Sequence, residues 1–192
     1  MFDYKIFLGL VSVIISVACY VPYFKDIVKG TTKPHVFSWL VWSLLTGIAF
    51  FAQLTNGAGA GAWVTGVSSL ACLAVAIVAL RYGEKNITPL DWWAFGGALV
   101  SLGLWGVTAN ALLAVILVTI TDALAFVPTF RKSYYKPDEE TITTFALSAL
   151  KFIIVLWAFE VYDLVVWLYP VALVIMNSSF VAMVLVRRRK KI

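Results

Sequence analysis

Long uninterrupted apolar runs constrain this chain more than any other feature. Seven are present, at approximately residues 5–24, 36–54, 62–81, 91–107, 110–129, 142–159 and 164–186. Each approaches the about 20 residues that a helix needs to cross a roughly 30 Å hydrocarbon layer. The runs are continuously apolar and do not alternate at period two, which selects helices over a β-barrel. Composition agrees: 62% of the 192 residues are hydrophobic and 13% are charged, where a soluble domain carries about 45–50% and about 25%. With 12 Gly, 6 Pro and 2 Cys, collagen-like, disordered and disulfide-rich classes are excluded. The expected fold class is therefore an all-α membrane protein of seven transmembrane helices. The fourth run is the least sharply bounded, opening with Asp91-Trp92-Trp93 and separated from the fifth only by Thr108 and Ala109.

The net charge of +5 is clustered. Lys25, Lys29 and Lys33 follow the first run, Arg81 and Lys85 the third, and Arg131, Lys132 and Lys136 the fifth, and the tail ends Arg187-Arg188-Arg189-Lys190-Lys191. The intervening loops, Thr55–Gly61 and Glu160–Asp163, carry neither Lys nor Arg. The positive-inside rule then places the basic loops and the C-terminus in the cytoplasm and the N-terminus outside. The localisation expected is a multi-pass protein of the cell or inner membrane, with the bilayer as its main partner. The basic tail reads as a topology anchor at anionic lipid, not as a nucleic-acid patch.

Other local signals carry little chemistry. Residues 1–20 read as an integral helix in preference to a cleaved leader, and Asn86-Ile87-Thr88 is a sequon on the cytoplasmic side. Cys19 and Cys72 lack CxxC spacing and read as small apolar fillers. The single histidine, His35, borders the second helix. Gly57-Ala58-Gly59-Ala60-Gly61 has no strand before it that would make a phosphate loop. No cofactor or metal is implied.

The chain repeats itself at an offset of 106 residues without a gap. Val21-Pro22-Tyr23-Phe24-Lys25 falls on Val127-Pro128-Thr129-Phe130-Arg131, and Leu44, Ile48 and Ala52 fall on Leu150, Ile154 and Ala158. Val75, Ala76, Val78 and Arg81 meet Val181, Ala182, Val184 and Arg187. Two three-helix units with their first loops on the same side need an odd span between them, and the fourth helix supplies it. The plan is 3+1+3, a parallel repeat about an axis along the membrane normal. Residues 1–86 form the first triple-helix unit, 87–108 the linker helix and 109–192 the second unit. Gly96, Gly97, Ser101, Gly103 and Gly106 suit the linker for close packing.

A proline near the cytoplasmic end of the first helix, a short charged loop and a second helix opening Phe37-Ser38-Trp39 recur in the second half, where the matching stretch is Thr143-Thr144-Phe145. In this the chain resembles the PQ-loop and SWEET-type transporter superfamily over essentially its whole length. The family's Gln after Pro is Tyr23 in one half and Thr129 in the other. The resemblance implies a carrier for a small solute (a sugar, amino acid or vitamin) working by alternating access, with Pro22 and Pro128 as hinges. It also implies Trp157 and Asn177 as a substrate-contacting pair, whose first-half counterparts are Phe51 and Ala71. The same fold includes a cargo receptor, so it does not fix activity. Physically, a proline either kinks its helix or ends it, and both readings suit Pro22 and Pro128.

Asp122 and Lys151 lie deep inside apolar runs, where a central charge costs about 2.5–3.5 kcal/mol on insertion scales. At about 1.5 Å per residue, Asp122 is about 18 Å from the outer start of its helix and Lys151 about 14 Å from the inner start of its own. Their depths nearly coincide, so an ion pair is expected. Their counterparts in the first half are Ser16 and Leu45. Thr144, Ser148 and Lys151 share one face of the sixth helix, and Thr119 sits a turn from Asp122. Asn177-Ser178-Ser179 interrupts the last helix with polar groups. In the second helix Trp39, Trp42, Ser43 and Thr46 share a face that suits either packing or a solute.

The candidate substrate-binding residues are thus Asp122, Lys151, Asn177, Trp157, Ser148, Trp42 and Thr46. Protonation of Asp122, or its release from Lys151, would link a proton to transport. The competing class is a non-transporting receptor or scaffold recognised through its cytoplasmic loops. An enzyme is not expected, because no metal-ligand spacing or nucleophile–base set occurs. One subunit holds both halves of a pathway, and a homo-oligomer is also compatible with the sequence.

Overall fold

The computed structural model describes residues 3–84, 88–108 and 110–189, with the backbone alone for residues 90, 91, 94, 98, 101, 102 and 105. Lys85, Ala109, Lys190, Lys191, Asn86 and Ile87 of the sequon, and the side chains of Asp91 and Ser101, lie outside the described set. Among the described residues are seven α-helices: α1 Tyr4–Val28, α2 Val36–Thr55, α3 Trp63–Tyr82, α4 Pro89–Thr108, α5 Ala111–Tyr135, α6 Ile142–Leu156 and α7 Leu164–Arg189. A 3-10 turn, Gly59–Ala62, leads into α3, and another, Pro137–Glu139, precedes α6. Five segments (α1, α2, the first turn with α3, α5 and α7) are long and apolar enough to cross a membrane, and α6 is a shorter apolar helix.

Local chemistry sets the helix starts. Asp3 accepts from the Lys5 amide, Asn110 from the Leu113 amide and Asp163 from the Val166 amide. Each side chain thereby satisfies an amide that has no partner in the first helical turn. After α1 the chain reverses at Gly30, whose φ of 74° is left-handed, and the Thr31 and Thr32 amides bond back to the Asp26 carbonyl.

α1 and α5 run past their prolines, so Pro22 and Pro128 lie inside helices and terminate neither. Consequently Lys25, Arg131 and Lys132 are helical residues and not loop residues. α7 has its own internal proline, Pro170, which deprives the Val166 carbonyl of its i+4 amide. The side chain of Gln53 in α2 donates to that carbonyl at 3.1 Å.

Within the bundle α2 packs on α3 and α6 on α7, while α1 lies against α6 and α2 against α5. α4 packs on α5 and α2. The close-packing expected of its glycines holds only at Gly97, where an added Cβ would sit 3.2 Å from Thr121; at Gly96, Gly103 and Gly106 it would meet nothing. Aromatic contacts do the work instead, with Phe37 of α2 against Trp92 and Phe95.

The two loops without basic residues meet at one end, where the Glu160 amide donates to the Ala58 carbonyl. α6 stops at Leu156, earlier than the apolar run suggests, because the chain turns to lay the buried Phe159 on Gly61. At the opposite end Lys132 donates to the Lys33 and Glu139 carbonyls, and Arg188 to those of Pro137 and Glu140. Lys33, Lys132 and Arg188 therefore lie together at this end of the bundle.

Candidate functional site

Between α1–α3 and α5–α7 lies an internal cavity of about 50 Å³. Six of the seven residues predicted to bind solute line it: Asp122, Lys151, Asn177, Ser148, Trp42 and Thr46. Trp157 does not. It caps the C-terminus of α6 and is 68% exposed, because the turn that buries Phe159 carries it outward. Its first-half counterpart, Phe51, is likewise exposed.

Asp122 and Lys151 are fully buried on this cavity but form no ion pair. Each has found neutral partners. Lys151 reaches from α6 to Ser16 of α1 at 3.0 Å and Ser68 of α3 at 2.8 Å. Its ammonium also lies 5.1 Å from the ring centroids of Tyr20 and Phe152, a cation–π arrangement. Ser16 is the repeat counterpart of Asp122, so the cation binds a hydroxyl where the other half carries a carboxylate. Asp122 accepts from the Tyr169 hydroxyl of α7 at 3.1 Å through Oδ1, and its Oδ2 has no partner.

The remaining lining polar groups are mostly turned to their own helices. Thr46 donates to the Trp42 carbonyl and Asn177 to that of Leu173. The Trp42 indole N–H is buried without a partner. Ser148 lies 4.0 Å from the Cys19 sulfur. Cys72, read as a filler, lines the cavity and meets the Tyr20 hydroxyl at 3.5 Å.

Sequence reasoning missed Ser68, Tyr20 and Tyr169. Their types are ordinary in apolar helices, and the signal that could have found Tyr169 is its place beside Pro170, inside a helix.

A polar chain crosses one end of the cavity. The Trp39 indole donates to Tyr23 at 3.2 Å, Tyr23 donates to Glu140 Oε1 at 2.8 Å, and Lys132 Nζ pairs with Glu140 Oε2 at 3.1 Å. Glu140 is buried. A buried carboxylate persists only when paired and hydrogen-bonded, and here α1 and α5 both supply partners. Asp26, Thr32 and Thr141 form a second link beside it. At the other end Gly9 lets α1 approach the first 3-10 turn so closely that a Cβ would fall 2.8 Å from the Ala60 carbonyl oxygen.

Two further bonds join the halves. The Thr144 hydroxyl of α6 donates to the Cys19 carbonyl of α1, and the Ser38 hydroxyl of α2 donates to the Ala125 carbonyl of α5. Both acceptors stand three residues before the proline of their helix. No protein-family model, curated protein or solved structure matches this chain.

Proposed function

We propose that this chain is a multi-pass membrane carrier for a small polar or charged solute, working by alternating access between two parallel units, α1–α3 and α5–α7, joined by α4. The plan is 3+1+3, N-terminus out and C-terminus in, of the PQ-loop and SWEET type. The observation that carries the reading is the central cavity: both units line it, and it holds a buried lysine and a buried aspartate that do not pair with each other. Intramembrane ionisable groups facing a cavity mark solute or ion pathways. A static bridge would bring the two charges together.

The repeat supports the same reading. The donors Ser38 and Thr144 are 106 residues apart, and so are the acceptors Cys19 and Ala125, so the two bonds between halves are one bond made twice. The exchanged packing of α1 on α6 and α2 on α5 has the same symmetry. Closure at both ends fits an occluded intermediate. The Tyr23–Glu140–Lys132 chain would part for access from the basic side, and the Phe159–Gly61 contact for access from the other. Pro22 and Pro128, inside their helices and near the first of these links, would hinge the movement.

Purified protein in proteoliposomes, screened by counterflow against amino acids, sugars and vitamins, tests the proposal. Saturable exchange of one solute class is expected. Binding with no flux for any solute would favour a receptor instead. Comparing uptake with and without a pH gradient in wild type and Asp122→Asn tests proton linkage, which gradient dependence unchanged by the substitution would remove.

A further inference from the structure

Three buried groups on the central cavity keep unused hydrogen-bonding capacity. Lys151 has three N–H donors and spends two of them on Ser16 and Ser68. The Trp42 indole N–H donates to nothing, and Asp122 Oδ2 accepts from nothing. Buried polar groups are almost always satisfied, and an orphan on a cavity wall marks the place of a missing partner. The unused groups are of two kinds: the lysine amine with an indole donor, and a carboxyl oxygen.

Size narrows the solute further. A water needs about 10–15 Å³ of such space, so a cavity of about 50 Å³ takes roughly three to five non-hydrogen atoms. A hexose, with roughly a dozen, exceeds this cavity by a wide margin. A simple anion would leave Asp122 unsatisfied, and a simple cation would leave Lys151 and Trp42 so.

Resting on the carrier reading, we infer that the solute is a small zwitterion of the glycine type. Its carboxylate is received by Lys151 and the Trp42 indole N–H, and its ammonium by Asp122 Oδ2. In the occupied cavity the solute's complementary pair lies between the two side chains. Tyr169 and the two serines hold the poles in place while the cavity is empty.

The test uses the full chain in proteoliposomes with glycine as the probe. Glycine counterflow should be saturable. It should be left unchanged by acetate, glycinamide and glucose, each of which lacks at least one of the two charges. Asp122→Asn should raise the glycine concentration for half-saturation roughly tenfold or more, the loss expected for one charge-assisted bond, and Lys151→Gln should do the same. Calorimetry of glycine binding to the wild-type protein gives a readout independent of variant folding. Exchange of glucose, acetate or glycinamide without glycine overturns the zwitterion and leaves the carrier standing. Glycine binding without flux upholds the zwitterion site and overturns the carrier. No glycine binding and no glycine flux overturns the inference.

Discussion

Thr144 on α6 donates its hydroxyl hydrogen to the Cys19 carbonyl on α1 across 2.9 Å. Its repeat counterpart, Ser38 on α2, makes the corresponding bond to Ala125 on α5 at 3.3 Å. Each bond enters a helix three residues before its proline. Thr144→Val and Ser38→Ala should each destabilise the protein by about 0.6–1 kcal/mol, the range for a hydrogen bond between membrane helices. Reversible unfolding in mixed micelles measures it. The double variant should lose the sum, because the two bonds share no atoms. A strongly non-additive pair would mean that the bonds are not independent seams.

Glu140→Gln leaves the partly buried Lys132 without its counter-ion. Removing one member of a buried pair costs about 3–5 kcal/mol, so unfolding should shift by several kcal/mol. Adding Lys132→Met to Glu140→Gln should recover part of the loss. A double variant no more stable than the single one would argue against the ion pair as the source.

Gln53 is required by a proline on another helix. Its amide covers the Val166 carbonyl that Pro170 leaves open. Gln53→Leu should cost about 1–3 kcal/mol, the penalty for an orphaned buried acceptor. Pro170→Ala restores a backbone amide at that place and should rescue Gln53→Leu. Rescue is the informative outcome, since a lost packing contact at residue 53 would not respond to residue 170.

The chain has two cysteines, and Cys72 lines the cavity. In a Cys19→Ala background, a water-soluble thiol reagent should label Cys72 slowly, glycine should slow it further, and Glu140→Gln should speed it. Labelling from the basic side that is indifferent to Glu140→Gln would remove Glu140 from the closure at that end.

Apolar run length and charge depth carried much of this structure in the sequence. All seven helices are there to be read, and depth grouped Asp122 with Lys151 while helical spacing added Ser148. Depth does not give direction around the helix axis. Asp122 and Lys151 sit at similar levels yet turn to Tyr169 and to Ser16 and Ser68, and no one-dimensional pattern distinguishes that from a direct pair. Trp157 failed for a different reason. The turn that ends α6 early is set by Phe159 packing on Gly61, a contact between residues far apart in the chain. Lys132 reads from the sequence as a loop charge and Glu140 carries no signal there, because their burial depends on how the loops fold over the helix ends.

The two charged poles differ in how they are tethered. Asp122 is anchored and hydrogen-bonded within α5 and α7 alone, whereas Lys151 grows from α6 but is held by α1 and α3. Sliding one triplet of helices past the other therefore strips the ammonium of its serines and leaves the carboxylate undisturbed. Such a molecule would sense its own motion through a single side chain, and cargo would lose or regain its grip at that side chain first.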